Sequence, residues 1–327
     1  MGETLPPHAR IELDRMGIWP RFLAQKFAHS LEMRWSWAGA ALVEHNFLFN
    51  PYGSPWHVDR QKFDRMLLGL ARESGADVML RAVVRSVKQN FGRWSVTIVH
   101  NAKEATIDCS FLVDATGQSA FVARAAGTKR LHFDNLIGAV GICRLCRTPE
   151  PFLVVEAVEN GWWYSVPLSP RRLLVGFMTD GDIPGELGRN AAAWWSSELN
   201  GSVHTARRVG ALKLAGGIQR RPAASSLLEE TSGPTWLAVG DAASSYDPLS
   251  GSGVCKALHF APIAANAIAS ALEQNSGGLL SYDAAVKQNF STYQKERCAQ
   301  YTKDQRWPAS LFWQRRHTGS DFFEVNA

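Results

Sequence analysis

The sequence predicts an α/β chain, α+β overall, in which a parallel-sheet domain is interrupted by an antiparallel layer and followed by C-terminal helices. Three observations lead there. Two apolar strands, near 111–114 and 236–239, each run into an acid and a glycine, as strands of a parallel sheet do where they reach a ligand crevice. Between them, residues 131–224 turn to short alternating segments such as 153–158, 162–168 and 172–178, the pattern of antiparallel strands. Beyond them, 257–272 and 281–301 carry long runs with helical spacing. The expected units are 1–130 with 225–290, then 131–224 as an insert, then a helical segment at 291–327.

The elements follow in order. Asp59 is placed to cap a helix whose apolar stripe is Phe63, Met66, Leu67, Leu70 and Ala71, and Gly75 stands at its C-terminal end. Strands are expected at 78–80 and 83–87, then a hairpin of 94–99 and 105–109 turning near Asn101. Phe111-Leu-Val-Asp114-Ala-Thr-Gly117 is the first acid-and-glycine strand, expected at the centre of its sheet. Gly161-Trp-Trp-Tyr-Ser-Val-Pro-Leu168 gathers aromatic groups in one strand, and a helix begins near Ala191. The last stretch, 301–317, mixes aromatic and basic residues; a helix docked by Trp307, Phe312 and Trp313 is favoured over a partner-binding tail.

Composition narrows the function. The chain has 327 residues, 46% of them hydrophobic, and a formal net charge of +5, enough for a sizeable core. Lys and Arg are scattered, which argues against a nucleic-acid partner. No uninterrupted apolar run approaches the roughly 18 residues of a membrane span, and the first residues lack the pattern of a signal peptide. Five scattered cysteines do not suit a disulfide framework, so the expected compartment is the cytoplasm. Cys143 and Cys146 match C-x-x-C but follow a strand, where residues three apart face opposite ways. No metal site is expected.

The most informative stretch is 236–258. Trp236-Leu-Ala-Val239 enters Gly240-Asp241-Ala242, then a turn with Pro248, Gly251, Ser252 and Gly253, then an apolar helix. A carboxylate at a strand end can accept hydrogen bonds from a polyol. The glycines let backbone approach a flat ligand. The helix start points unpaired N–H groups and a positive dipole end at an anion.

A reduced flavin is such an anion, and the string resembles the flavin-side motif of FAD-dependent monooxygenases and halogenases with the p-hydroxybenzoate-hydroxylase type of fold. The D-A-T-G segment at 114–117 and Val58-Asp-Arg60-Gln-Lys-Phe-Asp64, similar to V-x-R-x-x-F-D, occur in the family's order. The resemblance implies a Rossmann-like FAD-binding domain, an inserted substrate sheet lying over the flavin, and FAD contacts from Arg60, Asp114, Gly117, Gly240, Asp241, Ala242, Pro248, Gly251, Ser252 and Gly253. Gly2-Glu3 resembles the segment that follows the family's first βαβ unit, whose Gly-x-Gly-x-x-Gly is absent here. The resemblance therefore implies about 40 missing residues at the front, the size of such a unit. A truncated flavoprotein is the expectation; a cofactor-less remnant or binding module is the alternative.

Within the family the chain is most similar to the tryptophan-halogenase-like branch, with departures. Trp162-Trp-Tyr164-Ser-Val166-Pro167 gives W-x-Y-x-V-P where halogenases have W-x-W-x-I-P. Ser250-Gly251-Ser252-Gly253 lacks the halogenase glutamate, and no lysine lies between Lys26 and Lys62. The implied activity is thus a monooxygenase-type FAD oxidoreductase acting on a small aromatic molecule or a peptide side chain with O₂; the alternative is a halogenase. A separate flavin reductase or NAD(P)H would supply electrons. No catalytic acid or base is assigned. His45 and His57 are candidates because histidine titrates near neutral pH.

Overall fold

The computed structural model describes residues 2–183 and 190–318. Residues 184–189 and 319–327, parts of the expected insert and C-terminal segment, lie outside the described residues, as does Met1.

The two acid-and-glycine strands meet. Leu112–Asp114 and Trp236–Ala238 pair in parallel, Trp236 opposite Leu112 and Ala238 opposite Asp114. Ser232–Gly233 adds an antiparallel third strand on the far side of Trp236–Ala238. The first strand is therefore an edge of this sheet and not its centre: among the described residues only one neighbour is hydrogen-bonded to it, and Val113 is 41% exposed. The helices Gly253–Leu272 and Gly277–Tyr301 cover the pair, burying Leu237, Phe260, Ala264 and Tyr282 with Trp94 from the neighbouring hairpin. The Tyr282 hydroxyl donates to the Ala238 carbonyl at 2.7 Å. By length and composition the Gly253–Leu272 helix is apolar enough to cross a membrane. In this fold its apolar residues Leu258, Phe260, Ala264 and Ala267 pack into the protein core.

Asp59 caps the Arg60–Glu73 helix as its sequence position implies, accepting from the N–H groups of Gln61 and Lys62. Such a cap contributes about 1 kcal/mol. The expected strand at 78–80 does not form. Gly75 (φ +91°) ends the helix, Arg81 (φ +60°) turns the chain, and Met79 and Leu80 are exposed with no strand alongside. The hairpin region is a three-stranded antiparallel sheet of Val83–Asn90, Arg93–His100 and Lys103–Cys109.

The large sheet has seven strands, in the order Gln219–Pro222, Leu136–Arg144, Arg172–Asp180, Gly161–Ser169, Leu153–Val158, Glu32–Ser36, Val43–Asn46. It draws two strands from well before residue 131, and Leu153–Val158 pairs with Glu32–Ser36 in parallel. The layer is thus neither wholly antiparallel nor confined to 131–224. One face is sealed by the helices Ala191–Asn200 and His204–Val209, with Trp163 stacked on Phe177 at 4.6 Å and edge-on to Trp195 at 5.0 Å. Cys143 lies buried on this side while Cys146 is exposed, and both are free.

The opposite face carries the aromatic strand outward. Register places Val43, Trp35, Val155, Tyr164 and Gly176 in one row across the sheet. Trp35 and Tyr164 are only partly buried. Gly176 is needed beneath them, because a Cβ there would lie 2.2 Å from the Tyr164 ring. One row away, Trp162 is buried against Tyr301, Phe312 and Trp313. The C-terminal helix Leu311–His317 docks through Phe312 and Trp313, each fully buried, and the partly buried Trp307 just before it packs on the same cluster.

Candidate functional site

The site begins where the parallel pair ends. Gly240 turns the chain with φ +57°, and the short helical turn Gly240–Ala242 lies beside Gly117–Ser119 from the first strand. The Val239 N–H donates to the Asp114 carbonyl and Gln118 Nε2 to Ser245 Oγ, so the two strand ends are held together. Ala242 is buried. Asp241 is not: its side chain is 48% exposed, which leaves the carboxylate open to a ligand.

Asp114 has a different place. Its carboxylate is fully buried, accepting from the Thr116 N–H and hydroxyl and from the Ala123 N–H. It scaffolds the turn at Gly117 (φ +65°) and the helix that follows, and offers no free oxygen outward. Gly251 departs from expectation in the same way, since its N–H closes the turn onto the Pro248 carbonyl. The N–H groups of Gly253 and Val254 have no partner among the described residues, and a Cβ at Gly251 or Gly253 would meet nothing within 4 Å. An open helix start with clear space before it, next to an exposed carboxylate, fits the flavin end of FAD. Ser252 precedes the helix without a side-chain cap, its hydroxyl turned to the Ser250 carbonyl. Pro248 is exposed at the mouth of the loop. Arg60 opens its own helix, pairs with Asp64 at 3.2 Å, and its helix packs through Phe63 into the cluster holding Val254 and Cys255.

Two groups that the sequence did not single out dominate the electrostatics. Lys256, in the first turn of the Gly253–Leu272 helix, is 4% exposed at its side chain and sits 3.3 Å from Asp241. It also donates to the Ser244 carbonyl and lies 4.3 Å over the Tyr246 ring. With Ser250, Ser252 and His259 it lines a cavity of about 310 Å³. Asp247, just before Pro248, is fully buried: it accepts from the Leu249 N–H, from the Tyr301 hydroxyl at 2.8 Å and from Arg297 at 3.2 Å. Burial pushes its carboxyl above the usual range, and the Arg297 guanidinium opposes that. The Tyr301 hydroxyl in turn accepts from Trp162 Nε1 at 2.9 Å. Trp162 therefore ties the aromatic strand to the loop carrying Pro248 instead of lining a cavity.

The two histidine candidates separate. His45 is exposed, stacked on Trp35 at 5.4 Å. His57 is buried, with Nδ1 3.0 Å from the Thr4 hydroxyl and Nε2 3.3 Å from the Pro151 carbonyl. A neutral ring satisfies both contacts, accepting at Nδ1 and donating at Nε2. Burial lowers its pKa to about 4, although the Pro151 bond raises it and Arg208 lowers it further. Because the folded value lies below the ordinary 6.5, this stabilisation is complete above that pH and is lost as pH falls toward 4. Melting temperature should drop over that window, and His57→Gln should flatten the drop. An unchanged pH profile in the variant would refute the assignment.

Comparison with known proteins bears on the fold and the cofactor. The chain is 30% identical over 290 residues to LodB of Marinomonas mediterranea, described as an FAD-dependent oxidoreductase, in a match covering 87% of this chain and 77% of that protein. Its fold superposes on the myxobacterial chondrochloren halogenase CndH with TM-score 0.87 at 22% identity, covering 97% of this chain and 77% of that one. It superposes on the peptidyl tryptophan dihydroxylase QhpG with TM-score 0.80 at 22% identity, covering 97% and 70%. A family model described as tryptophan halogenase matches residues 19–321, and the chain, with both strand-end motifs inside that match, belongs to the tryptophan halogenase family.

Proposed function

We propose that the protein is a monooxygenase-type flavoprotein that oxidises an aromatic ring, free or carried on a peptide. It is an FAD-dependent oxidoreductase of the halogenase family, and the finer reading rests on one observation: the half-buried row of Trp35, Val155 and Tyr164 on the open sheet face, one row from the strand tie to the flavin loop. Such a row suits an aromatic substrate, since offset or edge-on ring pairs contribute about 0.5–1.5 kcal/mol beyond area burial. LodB is described as an FAD-dependent oxidoreductase, and the likeness to QhpG, a peptidyl tryptophan dihydroxylase, supports oxygen insertion into a peptidyl substrate. The loop at 250–253 without glutamate points the same way.

FAD, when bound, would supply the redox chemistry, by which two electrons from the reductant go to O₂, one oxygen atom enters the substrate and the other leaves as water. The protein's share is positioning and exclusion of water. Asp241 would accept from cofactor hydroxyls. The Gly253 and Val254 N–H groups would face the pyrimidine end, where negative charge develops on reduction. The aromatic row would hold the ring dry and close.

The test supplies FAD, a flavin reductase with NADH, O₂ and chloride to the protein with free tryptophan or a tryptophan-containing peptide, and reads product masses. Oxygen insertion is expected. A chlorinated product would make the protein a halogenase, and failure to retain any flavin would leave it a binding module.

A further inference from the structure

Lys256 is an unusual choice for its place. The Gly253–Leu272 helix is otherwise apolar at its buried positions, and a buried ammonium costs several kcal/mol unless compensated. The compensation is specific. Asp241 lies 3.3 Å away, the Ser244 carbonyl accepts from Nζ, and the Tyr246 ring lies beneath at 4.3 Å. Arg130 also lies in the cluster, but it donates to the Asp241 and Ala242 carbonyls and to Ser226 Oγ, not to the Asp241 carboxylate. Lys256 is thus the cation that meets the Asp241 carboxylate, and it does so from the first turn of the helix whose first N–H groups have no partner among the described residues.

We propose that Lys256 is a cofactor-positioning residue that acts through Asp241, holding the exposed carboxylate in one orientation for the FAD hydroxyls and adding positive charge at the flavin-facing helix start. This deepens the reading of Asp241 as an FAD contact and rests on it. Two consequences differ in sign. Removing either partner frees or deletes the carboxylate's orientation and weakens FAD binding. Removing the cation disfavours reduced, anionic flavin, whereas removing the carboxylate favours it.

The experiment measures FAD dissociation constants by flavin fluorescence and midpoint potentials by spectroelectrochemistry for the unsubstituted protein, Lys256→Met, Lys256→Arg, Asp241→Asn and the double variant. Lys256→Met and Asp241→Asn should each weaken FAD binding about tenfold, and the double variant should lose no more than Asp241→Asn alone. Lys256→Met should lower the potential by about 30 mV, the equivalent of a tenfold weaker hold on reduced than on oxidised flavin. Asp241→Asn should raise it, and Lys256→Arg should keep the unsubstituted value. Asp241 is half exposed, so its variant reports even where Lys256→Met fails to fold. Losses that add in the double variant, or an unchanged potential in Lys256→Met, would overturn the proposal. An unsubstituted protein that binds no FAD would instead sink the cofactor reading beneath it.

Discussion

Asp247→Ala is expected to destabilise the protein by about 3–5 kcal/mol, the cost of breaking a buried ion pair from one side. Its carboxylate is the shared acceptor of Arg297, Tyr301 and the Leu249 N–H. Deleting it leaves the buried Tyr301 hydroxyl without an acceptor and removes one of the two carboxylates that pair with Arg297. Arg297 keeps Asp134 at 2.8 Å, so the fold should weaken and not collapse. Urea denaturation gives the number. Asp247→Asn, which can still accept from Tyr301, should lose clearly less. Equal losses would mean that the negative charge, not the hydrogen bonding, holds the loop.

Trp313→Ala should cost a similar amount, about 3–5 kcal/mol, by opening a cavity where a large ring was fully buried. Trp313 touches Trp37, Tyr301, Phe312 and Trp307 as ring pairs and donates to the Val158 carbonyl at 3.0 Å. Because it is the joint between the C-terminal helix and the aromatic sheet, the loss should also loosen Tyr301. Hydrogen exchange should therefore rise at residues 311–317 and at the Leu249 N–H together. Exchange confined to the helix would show that the joint does not reach the loop.

The local parts of this molecule were legible because their causes are local. Asp59 caps its helix with groups two and three residues away, and the glycine-acid strand ends are contiguous strings. The groups that the sequence did not reveal take their roles from distant partners. Asp247 meets Tyr301 across 54 positions and Trp162 through it across still more. Its one local signal was an acid directly before a proline turn, which reads equally as an ordinary Asx cap. Lys256 had a plainer signal, a lone cation in the first turn of an apolar helix. Asp114 was ambiguous in the sequence, because a carboxylate beside a glycine turn suits ligand binding and turn capping alike, and its burial shows the carboxylate capping the turn. The strands 32–36 and 43–46 escaped notice because short segments without a strong alternating pattern gain their pairing from the sheet they join.

That recruitment has a consequence for how the molecule can be assembled and rebuilt. Glu32–Ser36 lies beside Leu153–Val158 in register, with Trp35 opposite Val155. Closing a loop of this length costs chain entropy before any contact rewards it, so the layer should mature late in folding. It also cannot be exchanged as a cassette. Transplanting residues 131–224 from a relative with another substrate would carry over one wall of the aromatic row and leave Trp35 and His45 behind. A chimera intended to change selectivity must therefore move two separate stretches of chain as one unit.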